Sequence, residues 1–259
     1  MNFLAYMTPV VKNLLIINVL MFLVKLVGQA QGFDLDYILG GYVFDSPFFE
    51  PFQVVTHMFM HGSFFHLLFN MIGLIFFGSM LERVWGPKRF FIFYFITGVG
   101  AFILYQAVGY FEFSALKQQL AAGGIDMYTF KNLVGDLRVE SDALYHINQY
   151  LNRVNPSVSI ETIESYIALG SIPMIGASGA VFGLLAGAAM IFPNTQVQLL
   201  FPPIPIKIKW LAIIYIGFEV YNSTETNVGD NVAHFAHVTG ALVGLVTVLI
   251  FQRNKKTFY

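Results

Sequence analysis

Three short stretches of this sequence set side chains capable of chemistry inside strongly apolar runs. His66 and Asn70 stand in "HMFMHGSFFHLLFNM", Ser178 in "MIGASGAVFGLLAGAAMIFP" and His237 in "NVAHFAHVTGALVGL". A serine hydroxyl is a weak nucleophile until a neighbouring base takes its proton, and a neutral imidazole is the common base. Ser178 and His237 are residues of those two types. His66 and Asn70, four apart, share one face of a helix.

Other hydrolytic chemistries lack their residues. A carboxylate pair sharing a proton needs two acids, and no apolar span contains an Asp. No His-Glu-x-x-His arrangement occurs for a zinc-bound water. With no cysteine, disulfides, iron–sulfur clusters and thiol catalysis are excluded. Glu219, near the outer end of the fifth span, is the only acid in the last four spans, and a long side chain there is expected to snorkel to the surface. His57 and His61 have i, i+4 spacing but no carboxylate or thiolate nearby to complete a metal site. With His234 they are read as structural or interfacial. No metal and no cofactor is expected.

The elements that must position these residues follow from composition. Of the 259 residues 56% are hydrophobic and 11% charged, the balance of a polytopic membrane protein. The net charge of −1 gives no basic stripe for nucleic acid. A bilayer core of about 30 Å needs roughly 17 to 25 apolar residues per helix. Six spans are expected: Pro9–Val27, Phe64–Leu81, Phe90–Tyr110, Pro173–Phe192, Ile208–Tyr221 and Val232–Phe251. The first is too weakly basic at its start, and lacks the small-residue cleavage site, for a signal peptide. It is read as a retained span.

Lys and Arg set the orientation. Arg83, Lys88 and Arg89 follow span two, Lys207 and Lys209 follow span four, and Arg253, Lys255 and Lys256 follow span six. The loops after spans one and five carry only acids, Asp34, Asp36, Asp45 and Glu50, then Glu225 and Asp230. Both termini are therefore expected to be cytoplasmic. Lys12 lies near the inner end of span one, and Lys25 near its outer end, where it is expected to snorkel.

Residues 1–259 read as one integral domain, interrupted between spans three and four by a polar outer insertion at 112–171. Its stretch "ESDALYHINQYLNRV" places Leu144, Ile147, Tyr150, Leu151 and Val154 near helical spacing, which suggests a surface or interfacial helix. The insertion, His146 included, is expected to be solvated and without chemistry.

Spans two, four and six begin on the same outer side. At 1.5 Å per residue, Ser178 and His237 should lie roughly 8 to 9 Å below their helix starts, a depth bracketed by His66 and Asn70. Gly179, Gly183 and Gly187 recur every four residues, as do Gly240 and Gly244. Small residues at that spacing let membrane helices approach closely. If the two stripes face each other, Ser178 and His237 come within hydrogen-bond reach. Taken singly, Ser178 can equally back-bond to a carbonyl, and the glycines can serve packing or dimerisation alone.

The order of "HGSFFHLLFN", "GASG" and "AHVTGALVG" on alternate spans resembles the rhomboid family of intramembrane serine proteases. That family shows Gly-x-Ser-Gly in its fourth span, matched by Gly176, Ala177, Ser178 and Gly179. In the sixth it shows His-x-x-Gly-x-x-x-Gly, matched by His237, Gly240 and Gly244, and in the second a pattern matched by His61, His66 and Asn70. The similarity covers roughly 200 residues and leaves the insertion unmatched. Phe52-Gln53 stands where many relatives carry a Trp-Arg pair, which puts the geometry of the first outer loop in question more than the chemistry.

The resemblance implies an all-α membrane protein, a six-transmembrane-helix bundle with both termini cytoplasmic. It implies a Ser178–His237 dyad with Phe182 stacked on the imidazole, since no Asp is available to orient the ring. It places oxyanion donors at the His66 and Asn70 side chains and the backbone of Ser178 and Ala177. The expected reaction is hydrolysis of single-span membrane proteins near the outer face of the lipid bilayer, and the expected location is the bacterial cytoplasmic membrane. Two other readings stay open: a catalytically silent, derlin-type binder of membrane clients, and a small transporter or channel.

Overall fold

Helix α1, Pro9–Ala30, begins with proline at its first turn, where no backbone donor is needed. The Glu82 carboxylate accepts hydrogen bonds from the Val10 and Val11 amides, both at 3.0 Å, and so caps this end with negative charge. The computed structural model describes residues 7–138, 141–198, 203–224 and 233–253. Glu225, Asp230, Lys255 and Lys256, used above for orientation, lie outside the described residues. The described chain divides into two compact units.

The first unit comprises 1–40, 54–105 and 175–259. After α1 come the short α2, Leu35–Leu39, and the single turn α3, Gln53–Thr56. Helix α4, Phe64–Gly73, is N-capped by the Ser63 hydroxyl and continues through a π-helical turn, Leu74–Gly78, into α5, Ser79–Ala122. Gly86, at φ +75°, followed by Pro87, breaks this stretch, because neither residue continues a helix there. The expected second and third spans fall on either side of that break. Later come α9, Ser178–Ile191, α10, Ile208–Asn222, and α11, His234–Arg253. An antiparallel pair, β1 Gln196–Gln198 with β2 Pro205–Lys207, joins α9 to α10, so the architecture is not purely helical.

Among the described residues three helical stretches, Pro9–Ala30, Phe64–Ala122 and His234–Arg253, are long and apolar enough to cross a membrane. Helix α9 is apolar but has only 14 residues. Leu14, Met58, Met71, Leu74, Leu81, Phe93, Leu184 and Val248 fill the core between the helices. Leu20, Leu23 and Val24 of α1 and Leu245, Leu249 and Ile250 of α11 are exposed, an apolar exterior suited to lipid.

The second unit comprises 41–53 and 106–174. Where the sequence suggests a solvated insertion at 112–171, the unit has a core of its own. Helix α5 runs on to Ala122, and α6 Met127–Gly135, α7 Ala143–Val154 and α8 Ile160–Ser171 follow. Asp126 and Ser159 cap α6 and α8. Phe113 and Tyr166 stack at 4.5 Å, and Phe48, Phe130, Ile147 and Tyr150 pack around them. Helix α7 is the helix expected in "ESDALYHINQYLNRV", and it turns Ile147 and Tyr150 inward. Aromatic residues scattered over 120 positions build this core, which is why a local reading sees only polarity. Gln53 braces the turn at Phe48 through its own amide, which donates to the Phe48 carbonyl and accepts from the Glu50 amide, both at 3.0 Å.

Candidate active site

Ser178 is the first residue of α9, not one placed five or six residues inside a helix as the depth estimate assumes. The reason lies at Gly176, whose φ of +124° no side-chain-bearing residue adopts easily and which cannot extend a helix backwards. The Gly176 amide donates to the His57 carbonyl at 2.9 Å, and the buried His57 ring stacks on Phe102. His57 thus anchors the loop that presents the serine. At the helix start, the Ser178 hydroxyl lies where amide dipoles favour negative charge.

The glycine stripes do face each other. A methyl on Gly240 would overlap the Gly179 carbonyl, and one on Gly244 would meet the Gly183 Cα at 2.7 Å. Helices α9 and α11 are therefore in backbone contact over one turn, the geometry that small residues permit. Gly187 instead faces Phe93 and Val248. The Thr239 hydroxyl donates to the Ala101 carbonyl at 3.2 Å and ties α11 to α5. His237 is buried and stacks on Phe182, with ring centroids 4.4 Å apart and planes at 8°. No hydrogen bond joins the Ser178 hydroxyl to His237 among the described residues.

Glu219 does not snorkel. It is 7% exposed, and its Oε2 lies 2.8 Å from His237 Nδ1 and 2.6 Å from His234 Nδ1. In an apolar layer a carboxylate is stabilised more by two imidazole donors within reach than by stretching toward the surface. The expectation that packing alone orients the imidazole is corrected accordingly: an acid reaches it from α10. Glu219, His234 and His237 are also the one group, among the described residues, whose ligand atoms lie close enough to hold a metal ion. The carboxylate stands at hydrogen-bond distance from each imidazole.

His66 and Asn70 lie on α4. The Gly62 amide donates to His66 Nδ1 at 3.4 Å, so a neutral His66 carries its hydrogen on Nε2. A methyl on Gly176 would meet that Nε2 at 2.7 Å and the Ser178 Oγ at 3.5 Å, so both atoms border the same small space. Asn70 is buried, and its amide donates to the His66 carbonyl at 3.0 Å. His61 is fully buried, edge-on to His66 at 5.1 Å. Burial, with His66 beside it, pushes its pKa from the ordinary 6.5 down to about 3 and keeps it neutral.

Lys25 also departs from expectation. It is 2% exposed, paired with Asp36 and bonded to the His61 carbonyl at 2.8 Å, so it clamps the turn that leads into α4. Nothing in the spacing of Lys25 and Asp36 signals this pairing, although a lysine near the end of an apolar helix is itself a reason to look for one.

A family model described as "Rhomboid domain" matches residues 49–123 and 144–254. Rhomboid-like protein 19 of Arabidopsis thaliana is 24% identical over 206 residues, covering 79% of this chain and 50% of that protein. Rhomboid-like protease 3 of Toxoplasma gondii is 23% identical, covering 68% and 62%. Rhomboid protease AarA of Providencia stuartii is 23% identical, covering 74% and 54%. The chain spans about half the length of the curated relatives it matches. The domain match covers most of the bundle that carries Ser178, His66 and His237, and the chain belongs to the rhomboid family of integral membrane proteins.

Proposed function

We propose that this chain is an intramembrane serine endopeptidase that cuts single-span membrane proteins in or near the outer end of their transmembrane helix. The observation that carries the reading is the meeting of three helices at Ser178. The α9 start presents the hydroxyl, the glycine contact brings α11 and its His237 against Phe182, and His66 Nε2 of α4 borders the same space.

Ser178 Oγ attacks the scissile carbonyl carbon while His237 Nε2 takes the hydroxyl proton. The same proton passes to the leaving amine nitrogen, and water then hydrolyses the acyl-enzyme by the same route. The oxyanion is held by His66 Nε2–H, the Asn70 amide and the backbone N–H groups of Ser178 and Ala177, each such donor contributing roughly 3 to 4 kcal/mol to the transition state. The Ser178–His237 bond forms around substrate, where catalytic hydrogen bonds often tighten. This chemistry needs no cofactor.

Six crossings with both termini cytoplasmic, in a bacterial cytoplasmic membrane, complete the reading. A 14-residue α9 is about 21 Å long, shorter than the apolar core, which is compatible with a first residue below the outer face. The substrate segment must unwind to expose its carbonyl, so Gly or Pro near the cut favours cleavage.

The test is cleavage of a single-span reporter by the purified full chain in liposomes. Ser178→Ala should abolish cleavage and fluorophosphonate labelling together. Undiminished cleavage by that variant would remove the serine mechanism. A wild type that folds but neither cleaves nor labels would leave the silent client-binding reading.

A further inference from the structure

We infer that Glu219 is a positioning residue for the general base, holding His237 with its hydrogen on Nδ1 and its lone pair on Nε2. The inference rests on the reading of Ser178 and His237 as nucleophile and base. Glu219 reaches the site from α10, an element outside the three that carry the other site residues.

The argument begins with what a buried carboxylate can accept. Ionised, Glu219 has only acceptor positions, so an imidazole nitrogen 2.8 Å from its Oε2 must bring the hydrogen. A neutral His237 then has Nδ1–H directed at Glu219, and Nε2 is left as the acceptor that a serine hydroxyl needs. Phe182 covers one face of the ring at 4.4 Å and prevents tilting, while the carboxylate fixes rotation about the Cβ–Cγ axis. The two contacts restrict different motions.

The carboxylate also takes part in the charge balance of the step. When Ser178 Oγ bonds to the substrate carbon, its proton moves to Nε2 and His237 becomes an imidazolium with hydrogens on both nitrogens. The Nδ1–H already points at a negative charge, so the cation is stabilised as it forms, and Glu219 itself remains unprotonated. His234 Nδ1, at 2.6 Å from the same oxygen, donates a second hydrogen bond and keeps the carboxylate from swinging away. His234 and His237 are three residues apart on one face of α11, so a single oxygen on α10 can meet both.

The experiment compares wild type, Ser178→Ala, Glu219→Gln and Glu219→Asp as purified full chains on a single-span reporter. Glu219→Gln keeps the shape but removes the charge, and its amide can donate to Nδ1 and thereby move the imidazole hydrogen to Nε2. Its kcat should fall on the order of 10²- to 10⁴-fold, with KM within about threefold and an unchanged thermal midpoint. Glu219→Asp, which keeps the charge, should recover at least about tenfold of that loss. A Glu219→Gln kcat within threefold of wild type, while Ser178→Ala is inactive, would overturn the inference and leave the protease reading intact. Cleavage undiminished in Ser178→Ala would overturn both. A second readout needs no proteolysis: imidazole ¹⁵N spectra of the labelled chain should show His237 as the Nδ1–H tautomer in wild type and not in Glu219→Gln, and an Nε2–H wild type would overturn the inference. Activity abolished by a chelator and restored by zinc would do the same, by making the cluster a metal site.

Discussion

In the bundle unit Lys25 is 2% exposed and its ammonium is surrounded by Asp36 and the His61 carbonyl. In the second unit Lys117 and Lys131 reach a single acid, Asp45, at 2.6 and 3.1 Å, with about a third of each side chain in the open. The two arrangements use the same chemistry at different dielectric. In the bundle a buried charge has no water to fall back on, so Lys25, Glu82 and Glu219 are each paired within the protein, and each pairing holds a segment or a ring in place. Lys25 holds the turn before α4, Glu82 the start of α1 and Glu219 the His237 ring. In the second unit aromatic rings supply cohesion and ion pairs decorate the edge. Those edge ion pairs are replaceable. In the bundle the pairings are positional.

The largest expected consequence is a contrast between lysines. Lys25→Met leaves Asp36 buried without its cation and should destabilise the protein by about 3–5 kcal/mol, whereas Lys131→Met should cost no more than about 1 kcal/mol. Thermal unfolding in detergent compares them directly, and equal losses would break the distinction. Next in size is a contrast between glycines. Gly240→Ala puts a methyl into the Gly179 carbonyl and should cost about 1–3 kcal/mol with a matching loss of reporter cleavage. Gly135→Ala meets only Pro47 at an ordinary 3.6 Å and should be close to neutral.

The most gradual effect is one of pH. His61, with its pKa at about 3 against an ordinary 6.5, binds fewer protons folded than unfolded. Stability should therefore fall as pH drops from about 6.5 toward 3, by up to about 1.4 kcal/mol per unit from this group. Asp45 behaves differently. Burial alone would raise its pKa, but hydrogen bonds from Lys117 and Lys131 hold it below the ordinary 3.8. Its contribution is thus present above 3.8 and is lost only in stronger acid. The slope of the thermal midpoint between pH 6.5 and 4 should flatten in His61→Phe, and an unchanged slope would assign the acid sensitivity elsewhere.

Much of the bundle was legible because membrane helices advertise themselves locally. Apolar length marks a span, and a four-residue glycine period marks a face, so Gly179 and Gly183 could be matched with Gly240 and Gly244 before any coordinates. Position within a helix was less legible. From sequence alone Ser178 falls inside a span, because a run of apolar residues does not show that Gly176 adopts φ +124° and forces the helix to start after it. The second unit was hidden for another reason. Its core draws Tyr42 and Phe48 together with Phe113, Phe130 and Tyr166, and no window of sequence contains that set.

The sequence by itself marked the residues proposed to carry the chemistry: Ser178, His237, His66 and Asn70, at spacings that one helical face or one close helix pair can use. It also determined the glycines that allow the approach, since a missing side chain is a local fact. Only the tertiary structure decided what each charge is for. Whether a glutamate or lysine in an apolar helix reaches for the surface or turns inward depends on what lies within about 3 Å in three dimensions. For Lys25 that neighbour is eleven residues away and for Glu219 it is eighteen. A buried charge takes the partner that folding brings, and its role follows from that partner.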